Sequence, residues 1–280
     1  MINKISLNDG NLIIYKEEIL DKLSLGKSDI VYLSGSLIEG VGNELSDIDV
    51  FVLVDDLTTM NTNVQFDLEN VKIKIDKLDC GTSIDIEYWR KDVLIEMIED
   101  INKYDGDSVD ITELYKSASK SGIDIEDFIS FIHRFLNCVP IYNEDEFTNL
   151  RNMLNFKNFN KFAVRYYIGV ADNQYVDVNG NLNSKKLESA LICTNDLLLN
   201  AMFAYIFSWN ATVDRKKWVF EKMKILATDN KEVKYYCEKF SDLLFNISVN
   251  SDEYAIIYCE KVLDFFNEVV DSIQTRLGGI

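Results

Sequence analysis

Two kinds of apolar spacing divide the chain. Up to about residue 104, short strand-like and helix-like segments alternate. Residues 15–25 set Ile19, Leu20 and Leu23 among charged positions, which predicts a helix. Residues 29–33 form a short apolar strand, ended by Ser34-Gly35-Ser36. Residues 47–54 read as a second strand, whose unbroken Val50-Phe51-Val52-Leu53-Val54 run suits a sheet interior. Val71-Lys72-Ile73-Lys74-Ile75 alternates as a half-buried strand. Ser83-Ile84-Asp85-Ile86-Glu87-Tyr88-Trp89 alternates too, with acids at the polar positions. Helical spacing returns over residues 91–104 through Val93, Leu94, Met97, Ile98 and Ile101.

The pattern changes around Tyr104-Asp105-Gly106-Asp107-Ser108, beyond which almost no strand-like alternation is left. Helices are predicted over residues 124–138, 144–156, 160–170, 184–209, 216–227, 230–245 and 251–277. Asp124, Ser184, Asp229 and Ser251 stand where N-caps would, because a short oxygen-bearing side chain can accept from a free N–H of the first turn. Pro140, the single proline, breaks the chain between two helices, and Asp177-Val178-Asn179-Gly180-Asn181 reads as a turn or hairpin-like loop. The expected fold class is α+β (mixed α/β): a domain with a small mixed sheet over residues 1–107, then an all-helical bundle over residues 108–280.

Length and composition fit this division, since 280 residues favour two domains over one. With 47% hydrophobic residues the chain has the makeup of an ordinary globular protein. No apolar run is read as approaching the ~20 residues of a membrane helix. Met1-Ile2-Asn3-Lys4 lacks the features of a signal peptide, so no membrane partner and a cytoplasmic location are expected. Cys80, Cys138, Cys193, Cys237 and Cys259 are scattered and odd in number, which points to buried free thiols. The 47 acids against 29 bases give a formal net charge of −18. Such a balance makes a polynucleotide partner unlikely, since phosphates are gripped by Lys and Arg, and it would attract a cationic small molecule.

The densest chemistry lies between Gly35 and Val54. Residues two apart in a strand point the same way, with Cα atoms about 6.6 Å apart. Asp47 and Asp49 therefore face one side and Ile48 and Val50 the other. Paired carboxylates of this kind form a hard-oxygen platform for Mg²⁺, and two such ions can stabilise the attacking and leaving oxygens of a displacement at phosphorus. Glycine lets phosphate oxygens approach the backbone, Ser36 adds a hydroxyl, and a turn of this kind often opens a helix. Asp85 and Glu87 share a face of a later strand and could supply a third carboxylate or a base.

Ser34-Gly35-Ser36 through Ser46-Asp47-Ile48-Asp49-Val50, with Ile84-Asp85-Ile86 behind, resembles the signature of the DNA polymerase beta nucleotidyltransferase superfamily. The resemblance implies that Asp47, Asp49 and Asp85 bind metal, in a two-ion Mg²⁺ site, and that Gly35, Ser36 and Ser46 bind nucleotide. Residues 1–107 would then be the catalytic domain and residues 108–280 a helical substrate-binding domain. This layout is similar to that of the bacterial aminoglycoside and lincosamide nucleotidyltransferases. It implies transfer of a nucleoside monophosphate, AMP from ATP in the first instance, to a hydroxyl of a small acceptor such as an antibiotic, with pyrophosphate release.

Many bacterial members carry an arginine shortly after the Gly-Ser, where this chain has Ile38-Glu39-Gly40. A base to balance the leaving pyrophosphate is sought instead among Arg151, Lys157, Lys161, Arg165, Lys185, Lys186 and Arg215-Lys216-Lys217. Asp85 is preferred as the third acid, while Asp85 and Glu87 both stay open as the base. His133, the single histidine, reads as a packed or surface residue of a helix. Two alternatives keep the fold: a nucleotidyltransferase that modifies a protein partner in the manner of antitoxin-like enzymes, and a non-catalytic binding protein. A homodimer stays open, because a second subunit can complete a helical domain of this kind.

Overall fold

The structure, a computed structural model, describes residues 4–7, 12–59, 64–104, 106, 111–246 and 251–278. They fall into two compact units, Met1–Lys103 with Thr112–Asn155 and Tyr104–Ile111 with Phe156–Ile280. The expected boundary at 107/108 lies outside the described residues. Residues 112–155, expected in the helical domain, cluster with the sheet instead.

The first unit begins with a two-stranded antiparallel ribbon, β1 (Lys4–Leu7) and β2 (Leu12–Tyr15), and a short helix, α1 (Lys16–Leu20). The remaining strands are β3 (Ile30–Ser34), β4 (Ile48–Val54), β5 (Phe66–Asp67), β6 (Val71–Lys77), β7 (Ser83–Arg90) and, later, β8 (Val139–Tyr142). They form one six-stranded mixed sheet in the order β5-β6-β7-β4-β3-β8. The central pair, β4 and β7, is parallel and every other pairing is antiparallel. Helices α2 (Lys91–Lys103), α3 (Ile111–Lys120), α4 (Ile125–Leu136) and α5 (Glu144–Met153) also fall in this unit.

Strand β8 corrects the all-helical expectation for the second half. Pro140 does not merely separate two helices; it lies in this strand at the sheet edge, where a residue without an N–H removes no essential ladder bond. The β3–β8 register shifts between Val31 and Tyr32, beside the proline.

Alternation along the two central strands gives the sheet two different faces. Val50, Val52 and Val54 of β4 and Ile84, Ile86 and Tyr88 of β7 join Val31, Leu33 and Ile14 in one buried cluster. The opposite face carries Asp49 and Phe51 from β4, and Asp85, Glu87 and Trp89 from β7. Aromatic rings fill the space between this face and α4 and α5. Tyr32 stacks on Phe51 with centroids 5.0 Å apart, Trp89 lies 4.4 Å from Phe131, and Phe135 packs against both Tyr32 and Phe147.

The second unit is helical: α6 (Phe156–Asn183), α7 (Leu187–Ser208), α8 (Val219–Ala227), α9 (Lys231–Phe245) and α10 (Asp252–Leu277). Helix α6 runs through the turn expected at Asp177–Asn181. Val178 is fully buried there, and the side chains of Asn179 and Asn181 donate back to the carbonyls of Tyr175 and Asp177. Helix packing overrides the local turn preference of the Asn-Gly-Asn run. Asp124 and Ser251 cap helices as expected, whereas the cap before α9 is Asn230 rather than Asp229, and Ser184 lies outside the start of α7. The reading that no apolar run suits a membrane also needs correction. Leu187–Ser208 is long and apolar enough by composition, and 67% of its most apolar window is buried in the structure. All five cysteines are free, but Cys80 is exposed.

Candidate active site

The acids on the open face of the sheet come together because β4 and β7 run side by side in the same direction. Asp49 and Asp85 are register partners, as are Phe51 and Glu87. Neighbouring strands lie about 4.8 Å apart, so the carboxylates of Asp49, Asp85 and Glu87 are brought side by side. Asp47 sits one residue before β4 and shares a hydrogen bond with Asp85.

Gly35 makes room for this cluster. Its φ of +90° turns the chain sharply after β3, and a Cβ built there would stand 1.8 Å from Oδ2 of Asp49. The glycine thus serves the close approach of a carboxylate to the backbone, in addition to any approach by a phosphate. Residues 36–40 continue as turns and open no helix. Ile38 and Glu39 both donate their N–H to the Gly35 carbonyl, and Val41 and Gly42 donate to that of Ser36. Ser46 lies in a further turn ahead of β4, where its hydroxyl accepts from the Asn43 N–H at 3.0 Å.

Concentrating acids in a desolvated cleft raises their proton affinity. Burial pushes the Asp49 carboxyl up to about 7; Arg134 opposes the rise and Asp47, Glu87 and Asp85 add to it. The Asp85 carboxyl rises to about 6 through burial first and then through the charge of Asp47 and the hydrogen bond to it, with Glu87 adding to the rise and Arg134 opposing it. The raised proton affinities of Asp49 and Asp85 mark a cluster short of positive charge. Asp47, Asp49 and Asp85 therefore fit a divalent cation by donor chemistry and by electrostatic demand.

The positive charge already present comes from Arg134 on α4. Its Nη1 donates to Oδ1 of Asp49 at 3.0 Å and lies 3.6 Å from Oε1 of Glu87, with 13–20% of each of the three side chains exposed. The guanidinium also lies 5.7 Å from the centre of the Phe51 ring. Glu87 is held on its other oxygen by the indole N–H of Trp89 at 2.9 Å. Helix α4 is fastened to the sheet from below, where the Ser34 hydroxyl lies 2.9 Å from the Arg134 carbonyl and 3.0 Å from that of Asn137.

Glu39, in the turn after Gly35, points inward. Its Oε1 lies 2.9 Å from Nε2 of His133, and the two side chains are 6% and 1% exposed. Asn137 Nδ2 stands 3.2 Å from the other ring nitrogen. A donor there leaves Nε2–H to donate to Glu39, so the pair ties the turn after Gly35 to α4. His133 is thus packed in the interior.

Sequence reasoning missed Arg134. Three of the bases it named are engaged elsewhere: Arg165 donates to the Gly106 carbonyl, Lys216 pairs with Asp196 and Lys217 lies over the Trp218 ring. The one signal available was an i, i+1 pair, His133-Arg134, on a strongly amphipathic helix. Nothing in it shows which strand lies beneath.

Comparison with known proteins bears on the same region. The family model of the nucleotidyltransferase domain matches residues 14–132. None of the curated proteins compared with the chain matches it. Among solved structures, a nucleotidyltransferase-like protein from Exiguobacterium sibiricum aligns over 89% of this chain and 71% of its own, at 12% identity and a TM-score of 0.44. A likeness of that size assigns nothing to this chain.

Proposed function

We propose that the domain over residues 14–132, which matches the family model of the nucleotidyltransferase domain, transfers a nucleoside monophosphate, AMP from ATP, to a hydroxyl of a small acceptor. The observation that supports this most directly is the gathering of Asp47, Asp49 and Asp85 at the heads of two parallel strands, where burial and neighbouring acids raise the proton affinities of Asp49 and Asp85. These three would hold Mg²⁺, which supplies charge neutralisation at the transferring phosphoryl group. Gly35, Ser36 and Ser46 lie on the two turns that flank Asp49, and the triphosphate is assigned to them.

Glu87 is the proposed base. It stands two residues beyond Asp85 on the same face and is oriented by the Trp89 indole, while Asp85 is engaged with Asp47. The acceptor oxygen forms its bond to the α-phosphorus as Glu87 takes its proton. The bond from the α-phosphorus to the bridging oxygen breaks, and pyrophosphate carries away that electron pair. A hydroxylated, cationic acceptor suits a chain with a formal net charge of −18, and an aminoglycoside is one instance. A polynucleotide acceptor is disfavoured by the same charge. A cytoplasmic location would give access to ATP.

The test is pyrophosphate release from each nucleoside triphosphate with Mg²⁺ and a panel of aminoglycosides, lincosamides and small-molecule extract, with acceptor mass followed in parallel. The proposal expects an acceptor heavier by one nucleoside monophosphate, and loss of at least about a thousandfold in rate in the doubly substituted Asp47→Asn, Asp49→Asn protein. No turnover with any mixture, or turnover that survives those substitutions, would count against it.

A further inference from the structure

Arg134 occupies a position that a metal-binding site should not leave to a fixed cation. Its guanidinium is 3.0 Å from one oxygen of Asp49 and 3.6 Å from Glu87, on the face of the sheet that also carries Asp85. Oδ1 of Asp49 already accepts a charge-assisted hydrogen bond there, and a second full positive charge so close to the guanidinium would be repelled. Glu39, where an arginine would flank the triphosphate, is spent on His133 inside the protein.

We propose that Arg134 is a placeholder cation: it holds Asp49 and Glu87 while the site is empty and moves to the triphosphate when metal and nucleotide arrive together. This rests on the nucleotidyl-transfer reading of the site. The backbone of Arg134 need not move, because it is anchored through its carbonyl to Ser34, and the long side chain can swing from Asp49 toward phosphate oxygens. Metal and nucleotide then bind interdependently. The metal alone must displace a guanidinium, whereas the nucleotide gives that guanidinium a new partner. Oε1 of Glu87 loses its ion pair with Arg134 at the same time and can accept the acceptor's proton, while the Trp89 indole keeps its hydrogen bond to Oε2.

The account separates two affinities that an ordinary phosphate-binding arginine would not. In Arg134→Gln, Mn²⁺ measured by electron paramagnetic resonance without nucleotide should bind about tenfold more tightly than in the unaltered protein. A non-hydrolysable ATP analogue, measured calorimetrically with Mn²⁺ present, should bind about tenfold more weakly. Adding the analogue should raise Mn²⁺ affinity far more in the unaltered protein than in the variant. Arg134→Lys keeps a charge within reach and should hold Mn²⁺ affinity near the starting value, and equal melting temperatures would show that both variants fold. Unchanged or weaker Mn²⁺ binding in folded Arg134→Gln would overturn the placeholder role while leaving the metal site standing. Absence of Mn²⁺ binding in every protein, with or without the analogue, would overturn both this role and the reading it rests on.

Discussion

Asp49 lies against the backbone of Gly35, with Arg134 as its counter-ion, and burial still lifts its carboxyl from 3.8 to about 7. Between those two values the folded chain binds a proton at this position that the unfolded chain does not. Stability from this group is therefore greatest at low pH and falls as pH rises from about 4 through 7. Asp49→Asn cannot ionise, so it should melt above the unaltered protein at pH 8, by on the order of 2 kcal/mol, and lose that advantage near pH 4. Scanning calorimetry at the two pH values checks the sign. Gly35→Ala should act in the opposite direction. The added methyl meets the Asp49 carboxylate in a φ region that disfavours side chains, so a loss of about 2–3 kcal/mol is expected, together with loss of Mn²⁺ binding in a titration. At this scale the acids were legible in the sequence, because strand alternation alone puts Asp47 with Asp49 and Asp85 with Glu87. Arg134 was not. It meets Asp49 across 85 intervening sequence steps, through the docking of a helix that no local pattern assigns to a particular strand.

The elements show where local signals succeed and where tertiary packing overrides them. Strands β3, β4, β6 and β7 were each foreshadowed by an apolar run or by alternation, and their observed ends differ from the expected ones by only one or two residues. Strand β8 gave no such signal, since four residues that include a proline carry almost no period; its pairing with β3 makes it a strand. Helix α6 offers the reverse case, a turn-like Asn-Gly-Asn run carried inside a helix by the burial of Val178. Gly180 there is exposed, and a Cβ at that position would meet nothing within 4 Å. Gly180→Ala should therefore stabilise the protein by about 0.5–1 kcal/mol, readable as a higher denaturant midpoint with an unchanged slope. The junction of α4 with the sheet should respond differently. Ser34→Ala removes the single hydroxyl proton that lies between the Arg134 and Asn137 carbonyls and should cost about 1–3 kcal/mol. Because that end of the helix carries Arg134, the same variant should also weaken binding of the ATP analogue while leaving global secondary structure intact by circular dichroism.

Over the whole molecule, the net charge of −18 and the site's own acids act in the same direction, toward cations and away from polyanions. A labelled single-stranded oligonucleotide should accordingly show no retention by the protein in a gel-shift measurement at about 150 mM salt. The division into a sheet-bearing unit and a helical unit was visible in the change of apolar period. The membership of residues 112–155 was not, because helical spacing is the same whichever unit a helix joins. The central claim is that the acids at the heads of β4 and β7 serve transfer of the α-phosphoryl group with its nucleoside. It is tested most directly by supplying the protein, Mg²⁺ and candidate acceptors with ATP labelled at either the α- or the γ-phosphorus. The account predicts that the α-label appears on the acceptor and the γ-label in pyrophosphate, and that both transfers stop in the Asp47→Asn, Asp49→Asn protein. A γ-label on the acceptor, or α-transfer undiminished without those two carboxylates, would contradict it.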